Sequence, residues 1–280
     1  MSMPISEINF EEGLARGQEV LEGNGYPGRW LAVGRGEGTH ADRFYMAYSF
    51  GGRSEGSKNR QAVFDGEAVR LIAPGMTPEE MAKKADAALV YYHASDAKDG
   101  VFVVSNGAQT RPVLGAVVAG ASFEQAVINA PTVKGMMDGE EVDIDLSSFE
   151  PDAPINTPRI TGLLDLREEA ITPFGLAVVR KNPETSQPIR SFVTGSQQDL
   201  KPGEGWAIQT YAWNDPSDRE TPVPHFDQMP YGFDMSGDVS DIAARVQEAI
   251  GEQTFAAAVV RAIDIGRREF AEHQFINTRG

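Results

Sequence analysis

The sequence of 280 residues contains no cysteine at all and only four histidines. Without cysteine there are no disulfides, no thiol nucleophile and no thiolate metal site. The histidines, His40, His93, His225 and His273, are too scattered to form the paired-histidine helix of a zinc hydrolase. Positive charge is also scarce: 25 Lys and Arg stand against 41 Asp and Glu, a net charge of −16. That balance argues against a general nucleic-acid binder, which needs a basic surface to displace phosphate counterions. It does not forbid a small anion held by a local group of arginines. No apolar run reaches the roughly 18–20 residues that cross a bilayer, and the start lacks the basic-then-apolar pattern of a secretory signal. The expectation is a cytoplasmic protein, bound neither to membrane nor to nucleic acid.

The composition, 41% apolar and 24% charged, is that of a globular chain able to bury a sizeable core. Periodicity predicts a helix over 9–22, strands over 29–33 and 44–50, and a hairpin of 62–65 with 67–73 turning at Asp65-Gly66. Thr77-Pro-Glu-Glu80 has the register of a capping box and opens a helix to 86. Strands at 88–93 and 101–105 bracket a turn-rich 95–100. Helical spacing follows at 109–119 and 122–137, the second capped by Ser122 and interrupted by Pro131. Residues 138–156 read as an acidic loop. Strands are expected at 159–165, 174–180, 189–194 and 206–211, an irregular segment at 214–237, and helices at 239–250 and 254–272. In the last helix Phe255, Val259, Ile263, Gly266 and Phe270 fall on one face. Runs of strands alternating with runs of helices favour α+β over a parallel βαβ sheet. A single domain over 1–280, two sheets between helical layers, fits best.

Chemistry concentrates in a few stretches. Gly51-Gly-Arg-Ser-Glu-Gly-Ser-Lys-Asn-Arg60 follows a strand and holds three cations, two hydroxyls and three glycines. Glycines let the backbone approach an anion, and guanidinium forks match phosphate oxygens. A solvated hairpin loop has similar composition, and the spacing is not that of a P-loop. Arg29 and Arg35 stand at the two ends of one strand, where they add to an anion pocket or cap the sheet. Ser105-Asn-Gly-Ala-Gln-Thr110 runs from a strand into a helix start, whose free N–H groups favour negative charge. Tyr92 ends an apolar strand, and Glu150 sits in the acidic loop. No metal motif occurs.

In this order the stretches resemble the single-function IMP cyclohydrolases, archaeal-type with bacterial relatives. They are Pro27-Gly-Arg-Trp-Leu-Ala-Val-Gly-Arg35, Tyr48-Ser-Phe-Gly-Gly-Arg-Ser-Glu-Gly-Ser-Lys-Asn-Arg60, Val103-Val-Ser-Asn-Gly-Ala-Gln-Thr110, Asn156-Thr-Pro-Arg-Ile160, Gly205-Trp-Ala-Ile-Gln-Thr-Tyr211 and Pro224-His-Phe226. The resemblance implies a four-layer αββα sandwich like that of the N-terminal nucleophile hydrolases, without their terminal nucleophile. It implies closure of formyl-AICAR (FAICAR) to IMP with loss of water, the last step of inosinate synthesis in de novo purine biosynthesis, with no cofactor and no metal. By matching position Arg60, Tyr92 and Glu150 form the catalytic group, Glu150 being placed by its distance from Thr157-Pro-Arg159. Arg29, Arg53, Ser54, Asn59, Asn106, Thr157, Arg159 and Tyr211 shape the nucleotide pocket, with Arg35 a further candidate for the phosphate. Residues 1–26 are an N-terminal extension relative to the family, and 214–237 an irregular insert. Two rivals remain: a purine-nucleotide-binding protein without turnover, and an amidohydrolase whose nucleophile is Ser2. A homo-oligomer is the common state for an enzyme of this size.

Overall fold

The computed structural model describes residues 2–22, 24–52, 55–77, 80–81, 87–137, 140–211, 230–251 and 255–277. Two large sheets dominate an α+β architecture. The first has eight strands in the order β1 (Ser2–Pro4), β12 (Pro188–Gly195), β11 (Phe174–Lys181), β10 (Arg159–Asp165), β7 (Val101–Ser105), β6 (His93–Lys98), β5 (Ala68–Ile72), β4 (Gln61–Asp65). All neighbours are antiparallel except β1 with β12. The second has six antiparallel strands: β14 (Tyr231–Asp234), β13 (Glu204–Gln209), β2 (Arg29–Arg35), β3 (Arg43–Gly51), β15 (Phe255–Asp264) and β16 (Glu269–Asn277).

The sheets face each other. A side chain added at Gly162 of β10 would meet Leu31 and Val33 of β2 at 3.2 and 3.1 Å, so glycine there permits the close approach. One hydrophobic cluster fills the interface, with Leu31, Val33, Tyr48, Phe102, Val104, Ile160 and Leu164 all buried. The outer face of the eight-stranded sheet buries Val103, Leu163 and Ala177 under α4 (Thr110–Val118) and α5 (Phe123–Ile128). The outer face of the other sheet is covered by α1 (Phe10–Glu22), whose Phe10 packs edge-on against Trp206, and by α6 (Val239–Ile250). Ile242, Ala243 and Val246 of α6 point into this layer, the apolar stripe expected of a half-buried helix.

Several expectations hold. The helices at 9–22, 109–119 and 239–250 and the hairpin around Gly66 form as read. Ser122 caps α5 in a full capping box, and Glu80 accepts from the Thr77 amide at 2.7 Å as the capping register predicts. Of the helix expected to 86, residues 78–79 and 82–86 lie outside the described ones.

Others are corrected. The helix expected at 254–272 is the hairpin β15–β16. Its first strand is buried from Phe255 to Ile263 because β3 and β16 flank it and layers cover both faces. An apolar run of that kind satisfies helical spacing by accident. The helix at 122–137 stops at Ile128; after Pro131 the chain becomes β8 (Thr132–Met137), paired with β9 (Glu140–Asp145) inside the expected acidic loop. Residues 88–93 are not a strand: α3 (Ala87–Val90) precedes β6, which takes up most of the turn-rich 95–100. Of the irregular segment, 214–229 lie outside the described residues, and β14 forms from its later part. The N-terminal extension is part of the sandwich, for β1 pairs with β12, Ile5 is buried, and α1 lies on β14.

A buried cation-rich site at one end of the sandwich

Antiparallel pairing brings many strand ends to one end of the sandwich. Arg29 opens β2 opposite Phe50 at the end of β3, and Trp30 faces Gln209 at the end of β13. In the other sheet the start of β10 lies against the end of β7, with Thr161 opposite Ser105. Arg60 immediately precedes β4, and Tyr92 precedes β6, anchored by its carbonyl, which accepts from the Leu71 amide at 3.0 Å. The turn into β2 needs glycine: Gly28 has φ +76°, and a Cβ there would lie 2.3 Å from Thr210 Oγ1.

The charged centre contains three buried guanidinium groups and one buried carboxylate: Arg29, Arg60, Arg159 and Glu150. Arg159 Nη1 lies 3.8 Å from Glu150 Oε1 and donates to Gln109 Oε1 at 3.1 Å. Asn106 holds this corner together. Its Oδ1 accepts from the Ile160 amide at 2.8 Å, and its Nδ2 donates to the Pro158 carbonyl at 2.9 Å and reaches Glu150 Oε1 at 3.5 Å. Gly107 must be small, since a Cβ there would stand 2.6 Å from both Arg159 Nη1 and Gln109 Oε1. Arg60 donates to the carbonyls of Ser57 and Val90 at 3.3 and 3.2 Å, and its guanidinium lies 4.8 Å from the centre of the Phe50 ring.

Hydroxyl pairs join the two sheets beside this centre. Tyr48 and Tyr92 hydroxyls are 2.6 Å apart. Thr157 Oγ1 lies 2.7 Å from the Tyr211 hydroxyl and donates to Asp152 Oδ2 at 2.6 Å. Asp152 as a carboxylate can only accept, so Thr157 is the donor there, and Tyr211 donates in turn to Thr157. Tyr211 also stacks on Tyr26, with ring centres 5.7 Å apart.

Burial pushes the Glu150 carboxyl up to about 7, and Arg29, Arg159 and Arg60 restrain the rise. Burial works against the Arg29 cation too, but Glu150 and the Tyr92, Tyr211 and Tyr26 hydroxyls outweigh it and hold Arg29 well above the ordinary arginine value. Arg60 and Arg159 are lowered, first by burial. These directions pull Glu150 both ways; a carboxylate is far easier to neutralise than a guanidinium, so Glu150 is the group that titrates and the arginines remain cations. Among the described residues, Arg29 Nε and Arg159 Nε and Nη2 are buried without a hydrogen-bond partner. Three buried cations against the buried Glu150 and the neighbouring Asp152, with donors left over, fit an anionic ligand.

Arg29, Arg60, Tyr92, Asn106, Glu150, Thr157, Arg159 and Tyr211 therefore meet at this end. Arg35 does not: it lies six residues along β2, roughly 20 Å from Arg29, where it donates to the Ala41 carbonyl and lies over Phe44. Asn59 is exposed at the end of the short helix α2 (Glu55–Lys58), next to Arg60 in sequence. Arg53 and Ser54 lie outside the described residues, as does His225. Ser2 is exposed on the edge strand β1. Tyr48, Gln109 and Asp152 were not singled out in the sequence. The signal for Tyr48 was a hydroxyl-bearing side chain in register with inward-facing Met46 and Phe50; for Asp152, nothing marked it among its acidic neighbours. Among the described residues, no group of acidic or histidine side chains could hold a metal ion and no helix is long and apolar enough to cross a membrane.

Such a molecule is a two-sheet α+β sandwich with a buried, cation-rich site where the strand ends of both sheets converge. The family model described as IMP cyclohydrolase-like protein matches residues 26–266, and the chain belongs to that family. No curated protein matches the sequence.

Proposed function

We propose that the protein is an IMP cyclohydrolase, closing the formyl and carboxamide groups of FAICAR into the purine ring of IMP with loss of water. The observation that carries the reading is the excess of positive charge: Arg29, Arg60 and Arg159 buried beside Glu150 and near Asp152, with buried donors on Arg29 and Arg159 that have no partner among the described residues. A nucleotide monophosphate supplies negative charge and acceptors for those donors. Family membership supports a purine nucleotide as the ligand, and the two-sheet sandwich is compatible with a likeness to the N-terminal nucleophile hydrolases.

The carboxamide nitrogen is a weak nucleophile, its lone pair delocalised into the carbonyl. Holding it against the formyl carbon removes several kcal/mol of barrier. With its pKa near 7, Glu150 is suited to take a proton from that nitrogen and later return it. As the N–C bond forms, Glu150 takes the nitrogen's proton and the formyl oxygen takes the Tyr92 proton. The C–O bond then breaks, with Glu150 giving its proton to the departing hydroxyl, which leaves as water. The Tyr92 oxyanion regains a proton from the former formamido nitrogen as the C=N bond forms. Arg60 stabilises the oxyanion charge during both steps.

Incubating the protein with FAICAR and following IMP tests the reading. IMP formation above the uncatalysed rate is expected. IMP binding without turnover would instead make it a nucleotide-binding protein.

A further inference from the structure

Two tyrosine hydroxyls lie side by side at the border between core and site. Tyr48 is on β3, 1% exposed, and Tyr92 precedes β6, 3% exposed. Among the described residues each hydroxyl has the other as its one hydrogen-bond partner, at 2.6 Å. A pair of phenols can share only one proton, so one O–H is left without an acceptor among the described residues. Which one is decided by what surrounds them. Both rings belong to the hydrophobic core, but Tyr48 lies within β3, between Leu31 of β2 and Val259 of β15, its ring tilted against Phe50 at 6.4 Å. A free O–H there would face apolar groups, a buried donor costing about 1–3 kcal/mol. Tyr92 stands outside the strands, immediately before β6 at the site's end of the sandwich, and its hydroxyl bears on Arg29, Arg60 and Arg159, whereas that of Tyr48 bears on Arg29 and Arg60. The guanidinium groups about it are donors, which leaves its own O–H for an acceptor on a ligand. Burial and the Tyr92 oxygen together keep the Tyr48 hydroxyl protonated, its pKa well above the ordinary value.

We propose that Tyr48 is a positioning residue: its hydroxyl donates to Tyr92 Oη and thereby turns the Tyr92 proton toward the ligand oxygen. In the reaction proposed above, on which this role rests, the same hydrogen bond persists when Tyr92 has given up its proton and stabilises the oxyanion left behind. Tyr48 itself neither gains nor loses a proton.

Tyr48→Phe keeps the ring and deletes the hydroxyl. Its kcat on FAICAR falls about 5- to 20-fold, the size of one buried hydrogen bond, while KM stays within twofold. Combined with Tyr92→Phe it adds nothing, because the two act as a unit. Tyr45→Phe, on the same strand but bonded to the Gly237 carbonyl at 3.0 Å on the other face, leaves kcat unchanged. A thermal melt checks that each variant is folded. A second arm needs no substrate: proton NMR of the wild type shows a slowly exchanging, downfield hydroxyl proton, lost in Tyr48→Phe and in Tyr92→Phe. An unchanged kcat in folded Tyr48→Phe, or losses that multiply in the double variant, overturns the positioning role. Absence of the shared proton from the wild type overturns its structural basis. Failure of the wild type to form IMP, with that proton present, counts against the proposed reaction and leaves the hydrogen bond standing.

Discussion

Arg159 and Glu150 form an ion pair 3.8 Å apart with both side chains at most 2% exposed. A buried pair of this kind is costly to assemble and costlier to break, because removal of one member strands the other's charge. Around it the cations are in excess, and the predictions below follow from that imbalance.

Glu150 is the titrating member. In its proposed role as base it must be ionised, so turnover rises as pH passes through about 7. Glu150→Gln cannot take up the proton; kcat falls by about 100-fold or more, and the limb near pH 7 disappears from the rate profile.

The same shift acts on stability. The folded protein binds the Glu150 proton more tightly than the unfolded chain, whose carboxyl has its ordinary value near 4.5. The contribution is therefore full below about 4.5 and is lost as pH rises through about 7. Denaturant titrations at several pH values read this as a falling stability across the window, and Glu150→Gln flattens that slope.

A dianion should relieve the excess positive charge. Calorimetry with IMP should show Arg29→Ala binding about 10- to 100-fold more weakly, the loss of one charge-assisted contact. Arg35→Ala, on the far end of the same strand, should bind as the wild type does. Equal losses for both would remove Arg29 from the ligand's reach.

Glycine 107 sets how closely the loop approaches the ion pair. Gly107→Ala places a methyl group 2.6 Å from Arg159 Nη1 and Gln109 Oε1, both ends of side chains that can shift. The protein should melt near the wild-type temperature yet lose most of its turnover. Gly115→Ala, within α4 and with open space around its Cα, should instead raise stability by about 0.5–1 kcal/mol without touching activity. Comparing the melts and rates of the two variants separates packing from site geometry.

Local signals were enough to read much of this protein. The Ser122 cap announces the start of α5, the Asp65-Gly66 turn announces β4–β5, and branched and aromatic runs announce β2 and β3. The absence of cysteine excludes thiol chemistry before any fold is known. The family, too, is written in the order of a few short stretches. What the chain does not encode locally is which neighbours a segment will have. Phe255-Ala-Ala-Ala-Val-Val260 became a strand because β3 and β16 pair with it and both its faces are covered, a circumstance that overrides helical spacing. Likewise Arg29 and Arg35 look equivalent in sequence, but successive antiparallel pairings send one to the site and the other to the opposite end. The Tyr48–Tyr92 and Thr157–Tyr211 contacts join residues 44 and 54 positions apart. Only the stacking of two sheets could decide them, because hydrogen bonds and charges act over a few ångströms and the chain must first be folded to bring them within range.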